Sequence, residues 1–214
     1  MKVFISGGSG MVGRNLIYFL KNNRNFNLLY PTSKELDLLD YNSVNKYLSE
    51  YKPQVIVHCA GLVGGIQANI KRPYSFLYKN LMMGSNLVEC AVINKTPKFI
   101  NLGSSCMYPK NLNRKLDEKD ILSAKLEPTN EGYALAKISI SKLCEFANKE
   151  FSMDYKTIIP CNLFGKWDKF DIENSHMIPA VIRKLHLAKN NLQTAEIWGD
   201  GTARREFMYA EDLA

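Results

Sequence analysis

"KVFISGGSGMVG", residues 2–13, sets the reading of the whole chain. Lys2–Ser6 is a β-branched and aromatic run suited to a buried strand. It breaks at Gly7, and apolar spacing at Val12, Leu16, Phe19 and Leu20 then predicts a helix over Met11–Asn22. Gly7, Gly10 and Gly13 stand as GxxGxxG. Glycine permits the positive backbone angle of a tight turn and has no Cβ to keep out a pyrophosphate. The helix that follows offers unpaired N–H groups and a partial positive charge. Many turns are glycine-rich, so the triplet alone says little. Strand, turn and helix together predict a dinucleotide site built from Gly7, Gly8, Ser9, Gly10, Met11, Val12 and Gly13.

The same alternation continues outward. Strands are expected at Asn27–Tyr30, Gln54–Cys59, Lys98–Leu102 and Lys156–Ile159, and helices over Tyr41–Tyr51, Pro73–Asn94 and Asn130–Phe151. Strands apolar on both faces and separated by helices imply a parallel sheet covered on both sides, a Rossmann-type doubly wound α/β fold. After residue 160 the pattern loosens to a helix over Met177–Lys189, a strand-like "AEIWG" and "FMYAEDLA", a strand feeding a helix.

Dinucleotide binders that take a bare ribose place an acid about 20 residues beyond the turn. Here "LLYPTSKELDLLD" puts Ser33 and Lys34 at that position, with Glu35 slightly later. A hydroxyl and a cation suit a 2′-phosphate, so NADP(H) is the expected cofactor. Further on, "NEGYALAK" spaces Tyr133 and Lys137 four apart, on one helix face. An ammonium beside a phenol lowers the phenol's pKa and makes it a usable acid. An amphipathic helix explains YxxxK equally well in isolation. The strand ending in "GSS" (103–105) just upstream favours the chemical reading, because α/β sheets bind ligands at the carboxyl ends of their strands.

Composition excludes several classes. Lys and Arg number 28 against 21 acids, a net charge of +7. The charge is scattered, with no basic run of five and no aromatic-basic interleaving, so no nucleic-acid partner is expected. Cys59, Cys90, Cys106, Cys144 and Cys161 form no CxxC pair, and neither a metal site nor a disulfide framework is expected. Cys59, Cys90 and Cys144 read as small buried hydrophobes, and His58 and His186 as structural. No apolar run approaches the roughly 20 residues of a membrane span. With the first strand starting at residue 2, no secretory leader is expected. The expectation is a cytoplasmic protein with reduced thiols and no membrane partner.

"GGSGMVG", "GSS" and "YALAK", in this order, resemble the extended short-chain dehydrogenase/reductases. "HCAGLVGGIQAN", "LGSSCMYPK", "LEPTNEGYALAK", "PCNLFG", "NSHMIPA" and "WGDGTARREFMYAEDLA" more specifically resemble the GDP-L-fucose synthase family of GDP-4-keto-6-deoxy-sugar epimerase/reductases, from residue 1 to 214. That resemblance implies NADPH-dependent epimerisation and C4 reduction of a GDP-4-keto-6-deoxyhexose. It implies an NADP-binding domain over residues 1–160 and the start of a smaller substrate-binding domain over 161–214. Family chains are longer, so this one is expected to be truncated. A homodimer through the Pro73–Asn94 and Asn130–Phe151 helices is also implied.

Carried over by motif, Tyr133 is the proton donor, Lys137 holds Tyr133 and the nicotinamide ribose, and Ser104 addresses the sugar's reacting oxygen. Cys106 of "GSSC" and His176 of "NSH" are the family's proton carriers for epimerisation. A ketone at C4 acidifies C3–H and C5–H, and inversion needs a base on one face and an acid on the other. Thiol and imidazole both titrate within reach of neutral pH. Leu102, Gly103, Ser105, Pro160, Cys161, Asn162, Leu163 and His176 fall in cofactor-contact motifs, with Cys161 where the family commonly has Thr. Lys184, Trp198 and Arg205 fall at nucleotide-sugar contacts, Lys184 standing where Arg is usual and losing its bidentate fork. Two readings compete with the first. One is a reductase or epimerase/reductase for a GDP-6-deoxy-4-keto-heptose; the other is a non-catalytic NADP-binding regulator.

Overall fold

The computed structural model describes residues 1–112, 114–171, 175–192, 194–197 and 199–214. Five strands, β1 (Lys2–Ser6), β2 (Asn27–Leu29), β3 (Val55–His58), β4 (Lys98–Leu102) and β5 (Asp154–Ile158), form a parallel sheet in the order β2-β1-β3-β4-β5. Helices α1 (Met11–Leu20), α2 (Tyr41–Tyr51), α3 (Ile66–Lys71), α4 (Pro73–Ile93) and α5 (Glu131–Phe151) occupy the crossovers. The chain runs outward from β1 to the edge strand β2, then returns to the other side of β1 as β3. That reversal opens a crevice at the carboxyl ends of β1 and β3, where ligands of this architecture bind.

Side-chain alternation divides the core between the two faces. Phe4, Ile56, Phe99 and Tyr155 lie in one register row and pack with Val44 and Leu48 of α2, Leu87 and Cys90 of α4, and Ile140 and Cys144 of α5. Val3, Ile5, Val55 and Val57 face the opposite way, against Leu16, Ile17 and Leu20 of α1. Because both faces are covered, the strands lack a polar alternation, which is the pattern that predicts a parallel sheet. Where α4 crosses α5, a Cβ at Gly84 would run into the Ile140 side chain. The missing side chain sets how closely the two long helices approach.

A second, two-stranded parallel sheet pairs β6 (Asn162–Phe164) with β7 (Phe207–Tyr209). Between them in sequence runs α6 (Met177–Asn191), and α7 (Ala210–Leu213) follows β7 and packs on α1. Most expected elements occur within one or two residues of their predicted bounds. Residues 195–197 of "AEIWG" are not a strand, so that expectation fails: the two strands here pair with each other and leave this segment no strand to pair with among the described residues. The short α3 and β6 were not anticipated. Among the described residues no helix is long and apolar enough to cross a membrane.

The loop after β3 borders the crevice and is held from inside. Asn80, 2% exposed on α4, accepts from Leu62 N at 2.8 Å and donates to Leu62 O at 3.0 Å and Phe76 O at 2.7 Å. Replacing Asn80 with Ala leaves the Leu62 amide and carbonyl without these partners, at about 1–3 kcal/mol for each one left unsatisfied. Urea unfolding of N80A is expected to show a loss on the order of 3 kcal/mol, with faster hydrogen exchange at Leu62.

Candidate active site

The sheet turns polar in a single register row at its carboxyl end. Ser6, His58, Asn101 and Thr157 stand opposite one another across β1, β3, β4 and β5, on the face that carries Phe4 and Phe99 one pleat earlier. Ser6 Oγ lies 2.8 Å from His58 Nδ1, and Asn101 Nδ2 donates to Thr157 Oγ1 at 3.2 Å. Burial pulls the His58 imidazole down to about 3, with Lys137 adding to the effect. His58 is therefore a neutral structural partner beneath the site.

Helix α5 brings Tyr133 and Lys137 over this row, one turn apart. Lys137 is only 4% exposed. Its Nζ donates to Leu102 O, the last carbonyl of β4, at 2.8 Å and lies 5.7 Å from the Tyr133 ring centroid. Burial lowers the Lys137 amine to about 8, while the Cys106 and Cys59 thiols pull the other way. The Tyr133 phenol departs from the expectation. Burial pushes it above its ordinary value, and Cys106 adds to the rise. The lysine's hydrogen bond goes to Leu102, and desolvation of the phenol sets the direction of its shift.

Strand β4 ends into Gly103, whose N–H donates to Ile158 O at 2.8 Å. A Cβ there would meet Met107 Sδ at 2.9 Å, so the turn packs directly on its own continuation. Ser104 caps a short 3-10 turn over Ser105–Met107, with a long contact of 3.5 Å from Cys106 N to Ser104 Oγ. Cys106 is half-buried. Desolvation raises its thiol, opposed by the Ser104 hydrogen bond and by Lys137. Ser104, Cys106, Tyr133 and Lys137 thus form one electrostatically connected group. Cys59, expected to be a buried hydrophobe, joins it: burial raises its thiol to about 12 and Lys137 opposes the rise. Counting register across from the end of β4 would have placed it there.

Beside this group lies a cavity of about 270 Å³ lined by Tyr133, Asn130, Glu131 and Gly132 on one side and Asn69, Ile70 and Pro73 on the other. Asn69 is 6% exposed and its Nδ2 donates to the carbonyls of Gly64 and Gly65 at 3.0 and 3.1 Å. Both asparagines escaped the sequence reading, because nothing in their spacing marks them.

The glycine turn has the geometry a dinucleotide needs. Gly7 has φ +70°, and a Cβ there would lie 2.6 Å from Ala60 N at the end of β3. A Cβ at Gly13 would press on Gly7 O, so α1 meets the turn through bare backbone. Gly10 N donates to Gly7 O at 2.9 Å. No side chain caps α1 and no acid occupies its first turn, which leaves its positive end to an anion. Ser9 and Gly10 are exposed, and Gly8, Met11 and Val12 are half-buried around the same mouth. Ser33 and Lys34 are exposed in the turn after β2. Glu35 is occupied locally, its Oε2 accepting from Thr32 N at 2.7 Å and Thr32 Oγ1 at 2.9 Å.

The remaining candidates sit on the second sheet and its connections. Pro160 is buried, and Cys161 and Leu163 are half-buried. Asn162 Nδ2 donates to Glu206 O at 3.0 Å, tying β6 to the segment before β7. His176 is exposed at the N-cap of α6. Its neighbour Ser175 faces the loop after β3, where a Cβ at Gly65 would come 2.8 Å from Ser175 O. Lys184 Nζ donates to Glu196 O at 2.9 Å, and Arg205 is exposed with its guanidinium on Arg204 O at 2.7 Å. Trp198 lies outside the described residues. Among the described residues no three His, Cys, Asp or Glu side chains form a metal-binding group.

Lys137 makes stability depend on pH. Unfolded, its amine titrates near 10.5; folded, near 8. Between those values the unfolded chain holds the extra proton, so stability rises with pH across that window, by on the order of 3 kcal/mol. Urea midpoints of the cofactor-free protein measured from pH 7 to 10 should show this rise relative to Lys137→Met. Parallel curves for the two proteins would contradict the buried ammonium.

Comparison with known proteins places this geometry. The profile of the NAD dependent epimerase/dehydratase family matches residues 3–214. A GDP-L-colitose synthase of Yersinia pseudotuberculosis is 55% identical over all of this chain, which spans 70% of that protein's length. A GDP-L-fucose synthase of Azorhizobium caulinodans is 48% identical, again over the whole chain and 68% of its own length. Among solved structures, a GDP-mannoheptose C4 reductase from Campylobacter jejuni with NADP bound superposes with a TM-score of 0.89 at 30% identity, covering 99% of this chain and 72% of that one. The chain belongs to the NAD dependent epimerase/dehydratase family.

Proposed function

We propose that this chain is an NADPH-dependent enzyme that epimerises and reduces at C4 a GDP-4-keto-6-deoxyhexose, with or without a hydroxyl at C3. The convergence of Ser104, Cys106, Tyr133 and Lys137 at the carboxyl end of β4 carries the reading. The printed identities of the relatives support it: fucose and colitose differ only in the C3 hydroxyl. The heptose-reductase reading has its support in the solved C4 reductase at lower identity.

The bare Gly7–Gly13 turn, the uncapped start of α1 and the exposed Ser33 and Lys34 fit the phosphates of NADP(H). Leu102, Gly103, Ser105, Pro160, Cys161, Asn162, Leu163 and His176 would complete its surround, with Lys137 at the ribose. When bound, the dinucleotide supplies hydride to C4.

The protein's own groups manage protons and charge. Ser104 and Tyr133 hydrogen-bond the C4 oxygen, stabilising the enolate while a neighbouring carbon is deprotonated. Cys106 and His176 divide the removal and return of that proton between the two ring faces. Burial keeps the proton on the Tyr133 phenol at neutral pH, so Tyr133 is ready to protonate the C4 alkoxide. Lys137, anchored on Leu102 O, fixes the height of Tyr133 above β4. Lys184, Trp198 and Arg205 are assigned to the nucleotide-sugar, where a guanidinium suits a diphosphate.

The reading also takes the protein to be cytoplasmic and a homodimer through α4 and α5. Supporting the latter, Tyr74 is 73% exposed and stacks on Tyr78 with centroids 5.6 Å apart, while Phe146 on α5 is 54% exposed. A solution mass of one chain would contradict it.

The test is NADPH oxidation with GDP-4-keto-6-deoxymannose, its 3-deoxy analogue and a 4-keto-heptose counterpart. Turnover of a hexose is expected, and no oxidation with any of the three would overturn the enzyme reading. Tyr133→Phe is expected to lower kcat by about 10²–10⁴-fold. Cys106→Ser should keep reduction while its product loses the inverted configuration.

A further inference from the structure

The turn between β6 and α6 holds a half-buried carboxylate with one oxygen unpartnered among the described residues. Asp168 Oδ1 accepts from Lys169 N at 2.8 Å, but Oδ2 is buried with no hydrogen-bond partner among the described residues. Leaving a buried carboxylate oxygen unpaired is costly, and such atoms in a native fold have a reason. The backbone is also bent to place it: Trp167 has φ +67° and Gly165 φ +144°. Asp168 N donates to Gly165 O at 3.2 Å, which closes the turn.

His176 is brought to this turn by its neighbour. The Ser175 hydroxyl donates to Lys169 O at 2.5 Å and accepts from Asp171 N at 2.6 Å. That clamp pins the residue before His176 to the residue after Asp168. Burial raises the Asp168 carboxyl; the Lys169 N–H bond opposes the rise first, and His176 and Lys169 add to that opposition. Other charged or titratable residues in the sequence of the turn, α6 and the stretch between them are Lys166, Lys169, Asp171, Glu173, Arg183, Lys184, His186 and Lys189. The loop from Gly61 to Gly65, against which Ser175 packs, brings none.

We propose that Asp168 is the positioning residue for His176: its buried Oδ2, unpartnered among the described residues, takes up a ring N–H in the NADP(H)-loaded enzyme and fixes which nitrogen faces the sugar. A carboxylate behind an imidazole holds one tautomer and stabilises the ring when it carries a proton. The inference rests on the proton-carrier role given to His176 above, and no such role is assigned there to Asp168.

The test pairs a spectroscopic signature with kinetics on the NADP(H)-loaded enzyme. Ring ¹⁵N shifts of His176 are expected to show one dominant tautomer with a hydrogen-bonded N–H in the wild type. In Asp168→Asn the amide presents a donor, and the tautomer ratio should change. Exchange of the ketone's neighbouring C–H with solvent should fall about 10²-fold in kcat, with KM nearly unchanged. Asp168→Glu should recover part of both signals. Unchanged ring shifts in Asp168→Asn would overturn the inference, even if His176→Gln abolishes exchange and so upholds the role of His176. Wild-type exchange in His176→Gln would instead overturn that role, while the ring shifts still decide whether Asp168 touches His176.

Discussion

The hydrogen bond from Lys137 Nζ to Leu102 O is the constraint on which the site depends. It joins the middle of α5 to the last residue of β4 and buries an ammonium that would otherwise stay in water. A buried charge is tolerated only with a partner, and removing the partner costs several kcal/mol. Helix and strand therefore cannot slide past one another without exposing that cost. Tyr133, one turn earlier on α5, and Ser104 and Cys106, immediately beyond β4, inherit their relative positions from this pin. Cys59 and His58, on the next strand, feel the same charge.

The crevice itself follows from topology. Reversing direction between β2 and β3 leaves the carboxyl ends of β1 and β3 without a crossover above them, and the turn after β1 is stripped of side chains at Gly7 and Gly8. Gly7 passes the backbone of Ala60 at a distance no Cβ would allow, and Gly13 does the same against Gly7. The dinucleotide end and the proton-transfer end are thus two parts of one strand-end surface. Asn80 and Asn69 brace the loop between them from beneath.

Much of this was legible in the residues. Continuous apolar runs marked β1, β3 and β4, the glycine triplet marked the turn, and the four-residue spacing of Tyr133 and Lys137 put them on one helix face. What was not legible depends on burial or on pairing between distant segments. The ammonium was expected to lower the Tyr133 phenol, but desolvation, which no spacing rule registers, wins. Residues 195–197 have strand composition yet no strand among the described residues to pair with, whereas Asn162–Phe164 is short and unpromising until Phe207–Tyr209 lies beside it. Asp168 gave no signal at all, because its meaning comes from an unfilled oxygen and a serine clamp.

The account's central claim is that one strand end carries both proton exchange on the sugar and protonation of the reduced C4 oxygen. Running the reaction in deuterated water and locating label in the product by NMR tests this directly. The account predicts deuterium at the inverted carbon beside C4, C5 in either hexose, and none on C4 itself. A reduced product with no label at C3 or C5 would mean that the Cys106–His176 pair moves no proton, and would reduce the site to a simple C4 reductase.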